Sequence, residues 1–127
     1  MLKALNVTRT ALALLLLVIT GLGCRKNTPP PVPLQVNEFA SVFNPAFARA
    51  KAETKDLAAQ IVTAVQAQDY STAFAQLQIL TSAPSLTKDQ QSVLARALLA
   101  VNELLAAAQS QGDQKAAQTI QTYQRNR

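Results

Sequence analysis

From Phe47 to Tyr123 the apolar residues of this chain recur at intervals of three and four, the period of a helix buried along one face. A half-buried strand needs strict alternation instead, so the pattern restricts the folded part of the chain to helices. Phe47, Ala50, Thr54, Leu57, Ile61 and Ala64 trace one stripe that runs to about Gln68. Its start is set at Asn44 and Pro45, because Asn caps free N–H donors and Pro fits the first turn, where its missing N–H is not needed. Phe39 and Phe43 extend the same face upstream as a short turn of helix bent at Asn44. Tyr70, Ala73, Phe74, Leu77 and Leu80 give a second, shorter helix, closed by Pro84, which disfavours helical geometry at Ala83.

Thr87 and Gln90 form a capping box that opens a third helix, lined by Leu94, Ala97, Leu98, Val101, Leu104, Leu105 and Ala108. It stops near Gly112, a residue suited to the left-handed closing position. Leu99 lies off this stripe, so the helix is apolar on more than one side and is expected at the centre of the fold. Asp113 caps a last short helix that turns Ala116, Ala117, Ile120 and Tyr123 inward. The expected fold is all-α: two antiparallel helical hairpins, four helices in the order long, short, long, short, over residues 38–127.

Composition removes most ordinary enzyme chemistry. The chain has 127 residues, one Cys, no His and no Trp, which excludes His-ligated metal sites, Ser-His or Cys-His catalysis and intrachain disulfides. Ala (23) and Gln (14) dominate while charged residues are only 15%, the profile of Ala-rich helices. The net charge of +5 does not describe the folded part, because Lys3, Arg9, Arg25 and Lys26 precede it. From Glu38 onward eight basic residues face seven acids, a net +1. Nucleic acid is therefore not an expected partner, since phosphate binding needs a basic face and base stacking needs aromatics beside it.

The first 23 residues read as a targeting segment. Lys3 and Arg9 are followed by the apolar run ALALLLLVIT and the small-residue exit Gly21, Leu22, Gly23. Only 15 residues separate Arg9 from Arg25, fewer than the roughly 20 a helix needs to span a bilayer. The single Cys, Cys24, stands directly after Gly23. Residues 1–24 thus resemble a bacterial lipoprotein signal peptide, whose lipobox places a small residue just before the lipidated Cys. Gly21 and Leu22 depart from the Leu and small residue which that family prefers at those two positions. The resemblance implies a diacylglyceryl group on the Cys24 thiol, acylation of its amine and, because Arg25 rather than Asp follows, an outer-membrane site facing the periplasm. Two or three acyl chains exceed what stable anchoring requires. Residues 24–37 then hold the lipidated Cys and a Pro-rich linker, RKNTPPPVPLQVN, read as an extended spacer that reaches up to roughly 40 Å.

A shift of 44 residues superposes the two halves of the helical region, aligning Leu57 with Val101, Ile61 with Leu105, Ala64 with Ala108, Asp69 with Asp113 and Ala73 with Ala117. Tyr70, Ala73 and Leu77 resemble the second-helix pattern of tetratricopeptide repeats, but the first-helix signature is missing and that family repeats every 34 residues. The correspondence is read as shared hairpin geometry.

Few groups suggest chemistry. Glu53 and Asp56 share a helix face, but Lys51 and Lys55 beside them suggest ion pairing on a solvated surface. Asp69 and Asp113 are explained by capping; Gln60, Gln66, Gln68, Gln76 and Gln78 by a solvated uncharged face; Tyr70 and Tyr123 by core edges. No catalytic residue, metal or cofactor is expected. Ala58, Val62 and Val65 lie beside the stripe of Leu57, Ile61 and Ala64, and mark a candidate surface for self-association or partner docking. The functional expectation is a non-catalytic helical interaction or structural module, lipid-anchored in a bacterial envelope. The alternatives are a binder of small apolar ligands in a groove between the hairpins and an obligate subunit of an envelope assembly.

Overall fold

The computed structural model describes residues 29–127. The proposed signal segment, lipobox and Cys24 lie outside them. Among the described residues there are five α-helices and no strand: α1 Phe39–Phe47, α2 Ala52–Gln66, α3 Tyr70–Thr81, α4 Lys88–Ser110 and α5 Gln114–Arg125, with a 3-10 turn, Val36–Glu38, leading into α1. The helical class agrees with the apolar period, but the number of helices corrects the expectation of four.

The extra helix comes from a misplaced break. Pro45 lies inside α1 and starts nothing, and Asn44 caps nothing. Phe39, Phe43 and Phe47 recur every fourth residue and are 0%, 0% and 1% exposed. Their rings sit 5.6 and 5.5 Å apart, centroid to centroid, down one side of the helix. Burying three aromatic side chains outweighs the one backbone hydrogen bond that Pro45 removes from its exposed side. The helix ends two residues after the proline, and the chain turns with Ala50 N–H donating to the Phe47 carbonyl at 3.1 Å. Lys51, in extended conformation, precedes α2.

Helix α4 is central. It packs on α1, α3 and α5, while α2 packs on α1 and α3. By length and composition alone α4 is apolar enough to cross a membrane. Its apolar face is nevertheless occupied from within the chain, where Leu94, Ala97, Ala100, Val101 and Leu105 are buried. Leu98, expected in the core, is half-buried, and Leu99 is exposed.

The caps of α3, α4 and α5 form as the sequence suggests. Gln90 N–H donates to the Thr87 hydroxyl at 3.1 Å, and Thr87 N–H donates to Gln90 Oε1 at 3.0 Å. The buried Gln90 does more, since its Nε2 donates at 3.1 Å to the Ala46 carbonyl, one of the orphan acceptors at the end of α1. A single side chain thus opens α4 and ties it to α1.

The α2–α3 and α4–α5 connections share one geometry. Asp69 N–H donates to the Ala64 carbonyl at 2.9 Å and Gln68 N–H to the Val65 carbonyl at 3.0 Å; 44 residues on, Asp113 donates to Ala108 and Gly112 to Gln109, both at 3.0 Å. These are paired Schellman closures. Gly112 takes the required positive φ (+92°), and at the equivalent place Gln68 is held at +59°. Each turn ends in an Asp whose carboxylate accepts the N–H three residues ahead, Thr72 at 3.2 Å and Ala116 at 3.1 Å.

The Pro-rich linker does not run free to residue 37. Leu34 is buried, its N–H donates to the Arg96 carbonyl at 3.3 Å, and Arg96 Nε donates to the Val32 carbonyl at 2.9 Å. The folded unit accordingly runs from Pro31 to Arg127.

Candidate functional site

Ala58, Val62 and Val65, marked from the sequence as a docking surface, are 3%, 7% and 0% exposed. They are core residues, and that expectation is corrected. Ile61 and Ala64 on the neighbouring stripe are buried as well, because α1 covers one side of α2 and α3 another. A face of this width is filled by the chain itself.

Several open grooves lie on the surface of the described residues, among them one between α3 and α5 and one along α4. The first, about 430 Å³, lies between α3 and α5. Phe74 and Tyr123 meet edge to face on its wall, 5.1 Å between centroids at 85°, and the Arg127 guanidinium stands 5.1 Å from the Tyr123 ring. Lys115 lies on its rim, where its Nζ donates to Asp69 Oδ1 at 2.9 Å. This is the one ion pair among the described residues. Asp69 is therefore more than a cap. Its other oxygen accepts the Thr72 hydroxyl at 2.7 Å, and that hydrogen bond, with the one from Lys115, holds its carboxyl well below the ordinary 3.8, at about 2. Tyr123 is a half-buried core edge, as expected.

The second groove, about 520 Å³, runs along the flank of α4, between the segment Pro33, Leu34, Gln35, Val36 and the residues Ala100, Glu103, Leu104 and Ala107. It opens where the docked stalk leaves Arg96. Glu53, Asp56, Lys51 and Lys55 are all exposed and form no ion pair, which corrects the pairing expected of them. Gln60, Gln66 and Gln68 are exposed, but Gln76 and Gln78 are half-buried, and Gln76 Nε2 donates to Gln60 Oε1 at 3.0 Å across α2 and α3. Among the described residues no group of three or more carboxylate or thiol side chains converges in a way that would hold a metal ion.

The contacts beside the two grooves join residues far apart in sequence: 46 positions for Lys115 and Asp69, 64 for Arg96 and Val32. No local signal marks either pair. Comparison with known proteins finds no family model that matches the chain, no curated protein with significant similarity and no solved structure with significant similarity.

Proposed function

We propose that this protein is a lipid-anchored bacterial envelope protein whose helical body serves as a non-catalytic interaction module held at the membrane surface. The carrying observation is the place of its one thiol: Cys24 follows a charged start, a short apolar run and Gly23, and stands seven residues before the folded unit begins at Pro31. A lipid on that thiol leaves a short Pro-containing tether and then a small all-α domain. The finer arrangement that fits this role is a pair of helical hairpins, α2 with α3 and α4 with α5, closed by equivalent turns and buttressed by α1. Growth of the producing bacterium with radioactive palmitate tests the anchor. Wild-type protein takes up label and sediments with membranes, whereas Cys24→Ala takes up none and accumulates as precursor or soluble protein. An exported wild-type protein that stays unlabelled overturns the reading.

The groove between α3 and α5 favours a second reading, a carrier of small apolar ligands. Its volume falls within the range of roughly 300 to 1,000 Å³ usual for ligand pockets, and Phe74 and Tyr123 supply an aromatic wall. Native mass spectrometry of protein taken from its own membranes tests this through a co-purifying ligand that Tyr123→Ala loses.

A further inference from the structure

The first residues of the folded unit are docked on α4. Leu34 is buried, and two hydrogen bonds, Leu34 N–H to the Arg96 carbonyl and Arg96 Nε to the Val32 carbonyl, pin the segment to α4. Upstream of that pin only seven peptide steps separate Pro31 from Cys24, so full extension places Pro31 within about 25 Å of the thiol. A tether this short keeps the flank beside its exit point within reach of whatever surface holds Cys24.

That flank is apolar where it need not be for folding. Four large apolar side chains are exposed among the described residues, and three of them, Val32, Val36 and Leu99, belong to the pinned segment or to α4. Val32 is 68% exposed and Val36 40%, although each has a buried neighbour nearby in Leu34. Beside them runs the groove floored by Ala100, Leu104 and Ala107, with Glu103 as its one acidic residue. Arg25 and Lys26 stand between Cys24 and this surface in the chain, where anionic headgroups attract basic side chains.

We propose that this flank, Val32 to Val36 with the C-terminal half of α4, rests on the bilayer that holds Cys24, with the valines seated at the level of the headgroups. The inference rests on the anchor reading above. The tether decides between a bilayer and a protein as occupant: a surface linked by seven residues is present at high effective concentration at all times, whereas a protein partner must arrive by diffusion and displace it.

Because the chain contains no Trp, a single indole reports one position. Full-length Val36→Trp and, as control, Ile79→Trp, which is exposed on α3 and lines no part of the groove, are produced in bacteria and purified from membranes. Each is reconstituted in vesicles of phosphatidylethanolamine and phosphatidylglycerol with or without a brominated phospholipid. Intact mass reports the lipid on Cys24, and fluorescence reports the face. The expected result is a lipidated protein in which brominated lipid quenches the indole at position 36 about twofold or more, as for an aromatic side chain at the membrane interface, and leaves that at position 79 nearly unchanged. A lipidated protein with neither or both positions quenched overturns the proposed face while the anchor stands. Blue-shifted emission at position 36 that bromine does not reach assigns the flank to a protein contact and also overturns it. Purified protein without lipid mass overturns the anchor, and this inference with it.

Discussion

Truncation of Phe43 tests whether α1 is part of the core or a flap laid over it. Phe43 is fully buried, between Phe39 at 5.6 Å and Phe47 at 5.5 Å, so Phe43→Ala removes its own transfer energy, leaves a cavity and separates two aromatic contacts at once. Substitutions of this kind cost about 3 to 5 kcal/mol, and the loss of both ring neighbours places this one near the middle or top of the range. The folded unit from Pro31 to Arg127 is small enough that its total stability is about 5 to 15 kcal/mol. One substitution thus removes a large share, and the melting temperature falls by roughly 15 to 30 °C. Urea titration followed by far-ultraviolet circular dichroism measures it, with Phe43→Leu as a control that keeps most of the volume and loses about 1 kcal/mol. A loss below 1 kcal/mol for Phe43→Ala, or a lower dependence on urea with an intact transition for the rest, refutes the assignment of α1 to the core.

Asp69 titrates at about 2 in the folded protein against an ordinary 3.8, so its contribution is complete above pH 3.8 and is lost as the pH falls through 2. Asp69→Asn is expected to flatten that acid limb of the stability curve at a cost below about 1 kcal/mol near neutrality, because Asn still caps the helix and the lost ion pair with Lys115 is solvent-screened. Gln68→Gly relieves a left-handed backbone that disfavours any L side chain by about 1 to 2 kcal/mol, of which the added freedom of the unfolded chain takes back 0.4 to 1, so thermal melts show a net gain near 0.5 to 1 kcal/mol. Gly112→Ala loses about 1 kcal/mol or more through φ alone, since a Cβ there meets no atom within 4 Å. Val62→Glu buries a charge between helices and is expected to unfold the protein by circular dichroism; a soluble variant with an unchanged melt would restore Val62 to the surface.

The parts of the fold legible in the sequence are those decided by chemistry within a few residues. Asp69, the Thr87 and Gln90 pair, Asp113 and Gly112 mark the ends of α2 through α5 because cap and closure are local hydrogen-bonding problems with few solutions. The start of α2 was not legible. Local preference puts a helix boundary at Asn44 and Pro45, and only the burial of three phenylalanines against other helices keeps α1 intact through the proline. The inward face of α2 was ambiguous for the same reason: two adjacent apolar stripes read equally as core plus docking surface or as core on two sides, and the packing of both α1 and α3 decides for the second. In the candidate grooves the clusters at Lys115 and Arg96 depend on chain segments brought together by folding, so spacing along the sequence carries no trace of them.

The 44-residue correspondence also indicates which ends of the body are closed to further association. On α3, Phe74, Leu77 and Leu80 are buried; their counterparts on α5 are Gln118, Gln121 and Gln124, and all three are exposed. An array that stacks hairpin on hairpin needs an apolar face at each step and a polar one where it stops, and the three glutamines place amides where another unit would need aromatic and aliphatic contacts. At the opposite end the phenylalanines of α1 already cover α2. With both ends finished, extension of the stack in either direction would bury amides or displace the core. Lateral surfaces remain, and on one of them the segment from Val32 to Val36, with two exposed valines, lies along α4 beside an open groove. The segment that leads out of the body is thus pinned to the outer side of the helix that organises the core, and Arg96→Ala is expected to free Val32 while Leu34 stays held through the backbone carbonyl at position 96.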